Sequence, residues 1–202
     1  MDKKAEILRC GKELFSTHGF KSTGIADITK MAGIAAGTFY LYFSSKEKLF
    51  MELFLEENVK LKREILAAID PNGDPLAVIQ EMMKRNMEGM ASNPILREWY
   101  NKEVFAKIEE KYREEHGLDY VDFMYTSFIE IVKNWQAEGK LRQDIDSEMI
   151  MAIFSTVIII DEHKEDIGLQ FFPKIQEYLT EFIIKGLTGT MDLPAGRQES
   201  VE

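Results

Sequence analysis

The 202-residue chain has one cysteine, Cys10, and five prolines. A single thiol excludes an internal disulfide framework and any cysteine-built zinc site. The prolines, at positions 71, 75, 94, 173 and 194, each fall near an expected helix start or stop. Long hydrophobic runs are missing as well. Met149 to Ile160 is an uncharged stretch of twelve residues that includes Ser155 and Thr156, short of the about 20 apolar residues needed to span a bilayer. No apolar stretch follows the charged opening Met1-Asp2-Lys3-Lys4-Ala5-Glu6. That reads against a secretory signal, and a soluble, cytoplasmic chain is expected. No nucleophile elbow, phosphate loop or pair of catalytic carboxylates is visible, so neither enzyme activity nor a cofactor is expected.

What the chain does hold is ordinary globular material, 45% apolar and 30% charged, enough for one large domain or a small domain fused to a larger one. The net charge of −10 argues, taken alone, against a nucleic-acid binder. It is unevenly spread. Residues 1–50 carry eight basic side chains against five acidic ones, a net +3, which leaves −13 for residues 51–202. A positive first quarter on an acidic body permits orientation toward a polyanion without establishing it.

Apolar positions recur at helical spacing and no stretch alternates with period two for long, so the chain reads as all-α. The first helix runs from about Lys3 to His18, with Ile7, Gly11, Leu14, Phe15 and His18 on its inner face and Gly19 as its C-terminal cap. Short helices follow at Ile25–Ala32 and Ala36–Phe43. Ser44 or Ser45 caps a long fourth helix that reaches about Ile69, where Asp70-Pro71-Asn72-Gly73 marks a turn. Beyond it lie Pro75–Ala91, Pro94 to about His116 with a break near Asn101, Leu118–Glu138, Ser147 to about His163, and Gly168–Leu187. Residues 191–202 read as a frayed tail. About nine helices result.

The informative segment is IADITKMAGIAAGTFYLYF, residues 25–43. Two short helices separated by Gly33 and the aliphatic Ile34 have helix-turn-helix spacing. Gly33 can take the left-handed conformation of a sharp elbow. Ile28, Ala32 and Ile34 would bury the inside of that elbow, small Thr29 and Ala32 would let the helices approach, and Phe39 would anchor the second one. That second helix fits a groove about 12 Å wide.

From Phe15 to Phe54 the chain resembles the TetR family of transcriptional regulators. The resemblance rests on Leu14-Phe15, His18-Gly19-Phe20, Thr23 with Asp27-Ile28, Ala32-Gly33-Ile34, Gly37-Thr38-Phe39-Tyr40, Tyr42-Phe43 and Ser45-Lys46-Glu47 with Leu49. Two departures stand out. Ala35 replaces the Ser or Thr that members commonly place before the recognition helix, so a side-chain cap worth about 0.5–2 kcal/mol is missing. Ala36 replaces a frequent Lys, Arg or Pro, and Thr29 a frequent alanine. These leave the operator sequence open but not the class of function.

The resemblance implies an N-terminal three-helix DNA-binding domain (residues 1–45), a larger helical ligand-binding and dimerisation domain (46–190) and a flexible tail (191–202). It implies that the helix beginning at Ala36 enters the major groove. Gly37 would allow close approach, Thr38 and Tyr42 would meet phosphates or base edges, and the Tyr40 hydroxyl would reach phosphate. Leu41 could touch only thymine methyls. Lys46 would pair with phosphate, and Thr23 and Gly24 would be phosphate neighbours. Phe39 and Phe43 are assigned to the core.

All the methionines except Met1 and Met31 lie in the larger domain and its tail, among many aromatics. Such side chains suit either a helical core or an adaptable apolar pocket. The candidate ligand contacts are Asn86, Met87, Met90, Trp99, Phe105, Phe123, Met124 and Phe128. Met149–Ile160 lacks a polar face, and Phe171 to Ile183 offers a second apolar surface; in the family the last two helices form a four-helix bundle across a twofold axis. Ile153, Val157, Ile160, Phe172, Ile175, Leu179 and Phe182 are the candidate dimer contacts, with burial inside one chain as the alternative. The charged run 161–166 reads as a solvated helix end and not as a metal site. The expectation is a homodimeric repressor released from a pseudo-palindromic operator by an apolar small molecule. The rival is an α-helical carrier or enzyme for apolar molecules that does not bind DNA.

Overall fold

Asp2 opens the first helix: its carboxylate accepts hydrogen bonds from the Lys4 and Ala5 amides at 2.9 and 3.3 Å, satisfying donors that a helix start leaves without partners. The computed structural model describes residues 2–101, 104, 122–162, 167–172 and 174–188. Among them are nine α-helices and no strand. They are α1 (Lys3–Ser22), α2 (Ile25–Met31), α3 (Ala36–Tyr40), α4 (Lys46–Ala68), α5 (Pro75–Ser92), α6 (Pro94–Arg97), α7 (Asp122–Ala137), α8 (Ser147–Glu162) and α9 (Lys174–Thr188). Two compact units emerge, Met1–Ile69 with Met82–Phe123, and Asp70–Glu81 with Met124–Glu202.

In the first unit α1 packs against α2, α4 and α6. Ile7, Cys10, Leu14 and Phe15 of α1 meet Leu49, Phe50, Leu53 and Phe54 of α4 in one buried cluster. Gly11 permits the approach, because a Cβ there would lie 2.8 Å from a Leu49 methyl. Phe15, Phe20 and Phe50 form an aromatic triad with centroids 4.9–5.8 Å apart, an arrangement that adds to simple area burial. Gly19 interrupts α1 at φ 80°, ψ 164°, but the chain resumes helical turns to Ser22. The helix thus extends past its expected end, and His18, expected to face inward, is exposed.

Ser45 caps α4 by accepting from the Lys48 amide at 3.3 Å. Asn93 caps α6, accepting from Ile95 and Leu96 at 2.9 and 3.3 Å with Pro94 just inside the helix, the position proline favours. The break expected near Asn101 is present: a 3₁₀ turn at Glu98–Tyr100 ends in extended backbone at Asn101.

The second unit is built on Trp135 of α7, fully buried, whose indole N–H donates to the Pro71 carbonyl at 2.7 Å. Phe128 meets Trp135 and Phe154 edge-on at 6.3 and 5.8 Å. Gly139 (φ 71°) ends the turn after α7. The Arg142 amide donates to the Leu187 carbonyl at 2.8 Å, tying that turn to the end of α9. α9 starts later than expected: Gly168 at φ 119°, a 3₁₀ turn at Leu169–Phe171 and extended Phe172 precede it. Phe172 stands before Pro173, and a residue in that place is pushed away from helical backbone.

Candidate functional site

The elbow between α2 and α3 is closed by its backbone. Gly33 sits at φ 64°, and the Ile34 amide donates to the Thr29 carbonyl at 3.0 Å. A positive φ strains any residue with a Cβ, which explains glycine there. At the start of α2, Asp27 accepts from the Gly24 amide at 2.9 Å. Ile28 and Thr29 are buried inside the bend and Ala32 and Ile34 pack against the same core.

α3 is shorter than expected, five residues ending at Tyr40, with Leu41 as its cap and Tyr42 and Phe43 beyond it. Ala35 provides no side-chain cap. The segment splits into two faces. Phe39 and Phe43 are buried, 5.8 Å apart. Tyr40, Leu41 and Tyr42 are 56, 80 and 41% exposed, and Ala36 and Gly37 are exposed on the same short element while Thr38 is half-buried. A Cβ at Gly37 would meet nothing within 4 Å, and its φ is not positive. The chain's own packing therefore does not require glycine at 37. Close approach to something outside the chain would.

Two expected phosphate contacts are turned inward. Thr23 is buried, and its hydroxyl donates to the Gly19 carbonyl at 2.9 Å. The Lys46 ammonium donates to the Phe20 and Thr23 carbonyls at 2.8 and 2.9 Å and lies 4.3 Å over the Phe20 ring. It closes the carbonyl end of α1, which leaves several acceptors unsatisfied by the helix itself. Gly24 is half-buried at the N-terminal end of α2.

Deeper in this unit, sequence reasoning missed a polar clasp. Glu57 of α4 is buried; Lys12 of α1 pairs with one carboxylate oxygen and Asn93 Nδ2 donates to the other at 2.7 Å. Burial pushes this carboxyl up, but the hydrogen bonds from Lys12 and Asn93 and the charges of Lys12 and Lys60 outweigh it, leaving the group below the ordinary carboxylate range. Only Asn93 before Pro94 was legible, as a capping pattern. Glu57 looks in the sequence like any solvated helix acid.

The expected ligand contacts separate. Asn86 of α5 is half-buried and its carbonyl accepts from the Lys62 ammonium of α4. Lys62 was not anticipated; burial lowers its pKa to about 8. Met87 is exposed and Met90 belongs to the packed core of the first unit, so neither is placed as one face of a stripe. Phe128 packs in the second unit's aromatic cluster. Phe105 and the side chains of Trp99, Phe123 and Met124 lie outside the described residues.

α8 and α9 pack on each other. Gln176, Thr180, Ile184 and Leu187 form the buried stripe of α9, and Val157 of α8 is already buried within the chain, so it presents no area to a second copy. Ile153, Ile160, Phe172, Ile175 and Leu179 are half-buried. Phe182 is 63% exposed and stacks on exposed Tyr178, centroids 6.1 Å apart. The run 161–166 lies outside the residues whose side chains are described. Among the described residues no cluster of His, Cys, Asp and Glu could hold a metal, and no helix is long and apolar enough to cross a membrane.

A helix-turn-helix whose second element is anchored by aromatic side chains and turns small and tyrosyl residues outward defines a DNA-reading module. Residues 7–53 match the model of the bacterial regulatory proteins of the tetR family. The HTH-type transcriptional repressor KstR2 of Mycobacterium tuberculosis is 23% identical over 159 residues, 73% of this chain and 74% of that protein. The regulator AcrR of Shigella flexneri is 34% identical over 90 residues, 43 and 41% of the two chains. Thermus thermophilus FadR, a TetR-family repressor solved in complex with lauroyl-CoA, shares the fold with a TM-score of 0.67 at 20% identity, covering 96 and 98%. FadR from Bacillus subtilis, solved with stearoyl-CoA, gives 0.58 at 17% identity, covering 93 and 98%. Residues 7–53 thus carry the DNA-binding module of the tetR family, and the whole chain shares its fold with TetR-family repressors.

Proposed function

We propose that the protein is a homodimeric repressor whose α3 segment reads a pseudo-palindromic operator and which an apolar, acyl-chain ligand releases from DNA. One observation carries the first half: Tyr40, Leu41 and Tyr42 stand exposed on a short element whose Phe39 and Phe43 are locked in the core. Large exposed side chains on a rigid support are what groove recognition uses. The acyl-chain ligand is supported by the two FadR proteins of the same fold, solved with lauroyl-CoA and stearoyl-CoA.

Residues 1–45 act as reader and 46–190 as sensing and pairing region, with 191–202 as a tail; the protein works in the cytoplasm, where operator DNA is. The pairing surface is the outer face of α8 and α9, centred on Phe182 with Ile175 and Leu179 beside it. Twofold symmetry then sets the spacing of two α3 segments. Ligand acts by binding more tightly to a state whose spacing no longer fits, with coupling of about 1–3 kcal/mol. α4 runs unbroken from Lys46 to Ala68 and is the natural lever.

The test is selection of bound duplexes from a randomised library, followed by titration against salt. A palindromic consensus whose affinity falls steeply with salt is expected. Tyr40→Phe should weaken that binding without moving the melting temperature. Failure to retain any duplex at low salt would overturn the reading in favour of an apolar-ligand carrier.

A further inference from the structure

We propose that Lys62, Asn58 and Asn86 form the polar end of the ligand site and bind the anionic head of an amphiphile, a carboxylate or a phosphate. This rests on the ligand-responsive reading above and specifies what the ligand must carry besides an apolar chain.

The argument begins with the spacing along α4. Asn58, Lys62 and Ile65 recur at intervals of four and three, so they share one helix face, and Ile65 on that face is buried. Across from it α5 comes unusually close: a Cβ on Gly89 would lie 2.2 Å from a Leu61 methyl. One turn before Gly89, Asn86 meets the Lys62 ammonium with its carbonyl oxygen. Asn58 Oδ1 is buried and accepts no hydrogen bond. Three polar groups from two helices are therefore gathered in an apolar helix interface.

Their chemistry is incomplete among the described residues. A desolvated ammonium needs an anion, and a neutral amide carbonyl offers only a dipole. Lys62 has no carboxylate partner among the described residues. The cause is not scarcity, since residues 51–202 carry a net charge of −13. Desolvation depresses the ammonium pKa, as expected of a cation to which the described residues bring no counter-charge. Asn58 adds a second unsatisfied group; an amide can turn either its carbonyl or its NH₂ toward a ligand. A few convergent polar groups in apolar surroundings are what orient a ligand in its site.

The full-length protein is titrated calorimetrically with octanoate, octyl phosphate and octan-1-ol, which share one tail and differ in the head, below their micelle concentrations. An anion preference of at least about tenfold over the alcohol is expected, the worth of a charge-assisted hydrogen bond. A preference for octanoate alone, for octyl phosphate alone or for both supports the proposal and identifies the head. Lys62→Met keeps length and apolarity, and should erase the preference while still binding octan-1-ol. Lys62→Arg should restore it. Equal affinity for all three probes in the wild type, or an unchanged preference in Lys62→Met, overturns the proposal. Operator binding without ligand is measured alongside. Its loss would sink the repressor reading, whereas the head-group result judges Lys62 independently.

Discussion

Asn93 Nδ2 donates to Glu57 Oε2 at 2.7 Å while the same Asn93 caps α6 with its carbonyl oxygen. One side chain thus joins the middle of α4 to the start of α6, and Lys12 adds α1 through the other carboxylate oxygen. Removing the carboxylate leaves the half-buried Asn93 amide and the Lys12 ammonium without this partner. Glu57→Ala should lower stability by about 1–3 kcal/mol, measured by urea denaturation at neutral pH. The folded-state pKa lies below its unfolded value, so this contribution is present above the unfolded pKa and disappears as pH falls through the folded one. Glu57→Gln should therefore show a flatter loss of stability in acid than the wild type.

Gly33 and Gly37 make a matched pair. A Cβ at either would find nothing within 4 Å, but only Gly33 has a positive φ. Gly33→Ala should cost about 1–2 kcal/mol from backbone strain. Gly37→Ala should leave stability unchanged or raise it by up to about 1 kcal/mol, since alanine is the better helix former. Yet it should weaken operator binding by about tenfold or more if the backbone there approaches DNA. Denaturation and duplex titration of both variants separate the two roles; a Gly37→Ala protein that binds like wild type removes α3 from the groove.

α3 and its cap carry no arginine, lysine, asparagine or glutamine between Ala35 and Phe43, so the usual bidentate partners of guanine and adenine are missing there. Leu41, the most exposed of the large apolar side chains on this segment, can read only methyl groups. Replacing thymine by uracil at the contacted positions of a selected operator should cost about 0.8 kcal/mol per methyl, or about fourfold. Leu41→Ala should be indifferent to the exchange. Equal sensitivity in both proteins would show that Leu41 does not read the site.

Phe182 and Tyr178 stack in the open on α9. Phe182→Glu places a charge at the proposed pairing surface, where burying it unpaired is costly. The variant should sediment as a monomer at concentrations where the wild type is a dimer, with its α-helical signal unchanged. Its affinity for a full operator should fall toward that for a single half-site.

The reader was legible in the sequence because its constraints are local. Gly33 had to turn, Phe39 had to anchor, and both did. The inward turn of Thr23 and Lys46 was not legible, since a lysine at a helix start reads equally as a phosphate ligand or as a cap for another helix's carbonyls. The choice depends on where the end of α1 comes to rest. Glu57 and Lys62 were hidden for a similar reason. Helical periodicity separates apolar from polar faces, but it cannot say which polar residue a neighbouring helix will cover. The late start of α9 was available in Phe172-Pro173 and was outweighed by the apolar run around it.

Cys10, the only thiol in the chain, is fully buried in the core that α1 and α4 share, its Sγ accepting from Arg9 and donating to Glu6 at 3.2 and 3.5 Å, and burial pushes its pKa up. A thiol that is both inaccessible and protonated reacts slowly with maleimides and methanethiosulfonates. The natural protein is therefore close to a blank background for site-directed labelling. One engineered cysteine on the exposed tip beyond α3 would mark each subunit of the proposed dimer once, and a pair of spin labels would report the separation of its two α3 segments as an acyl-chain ligand is added.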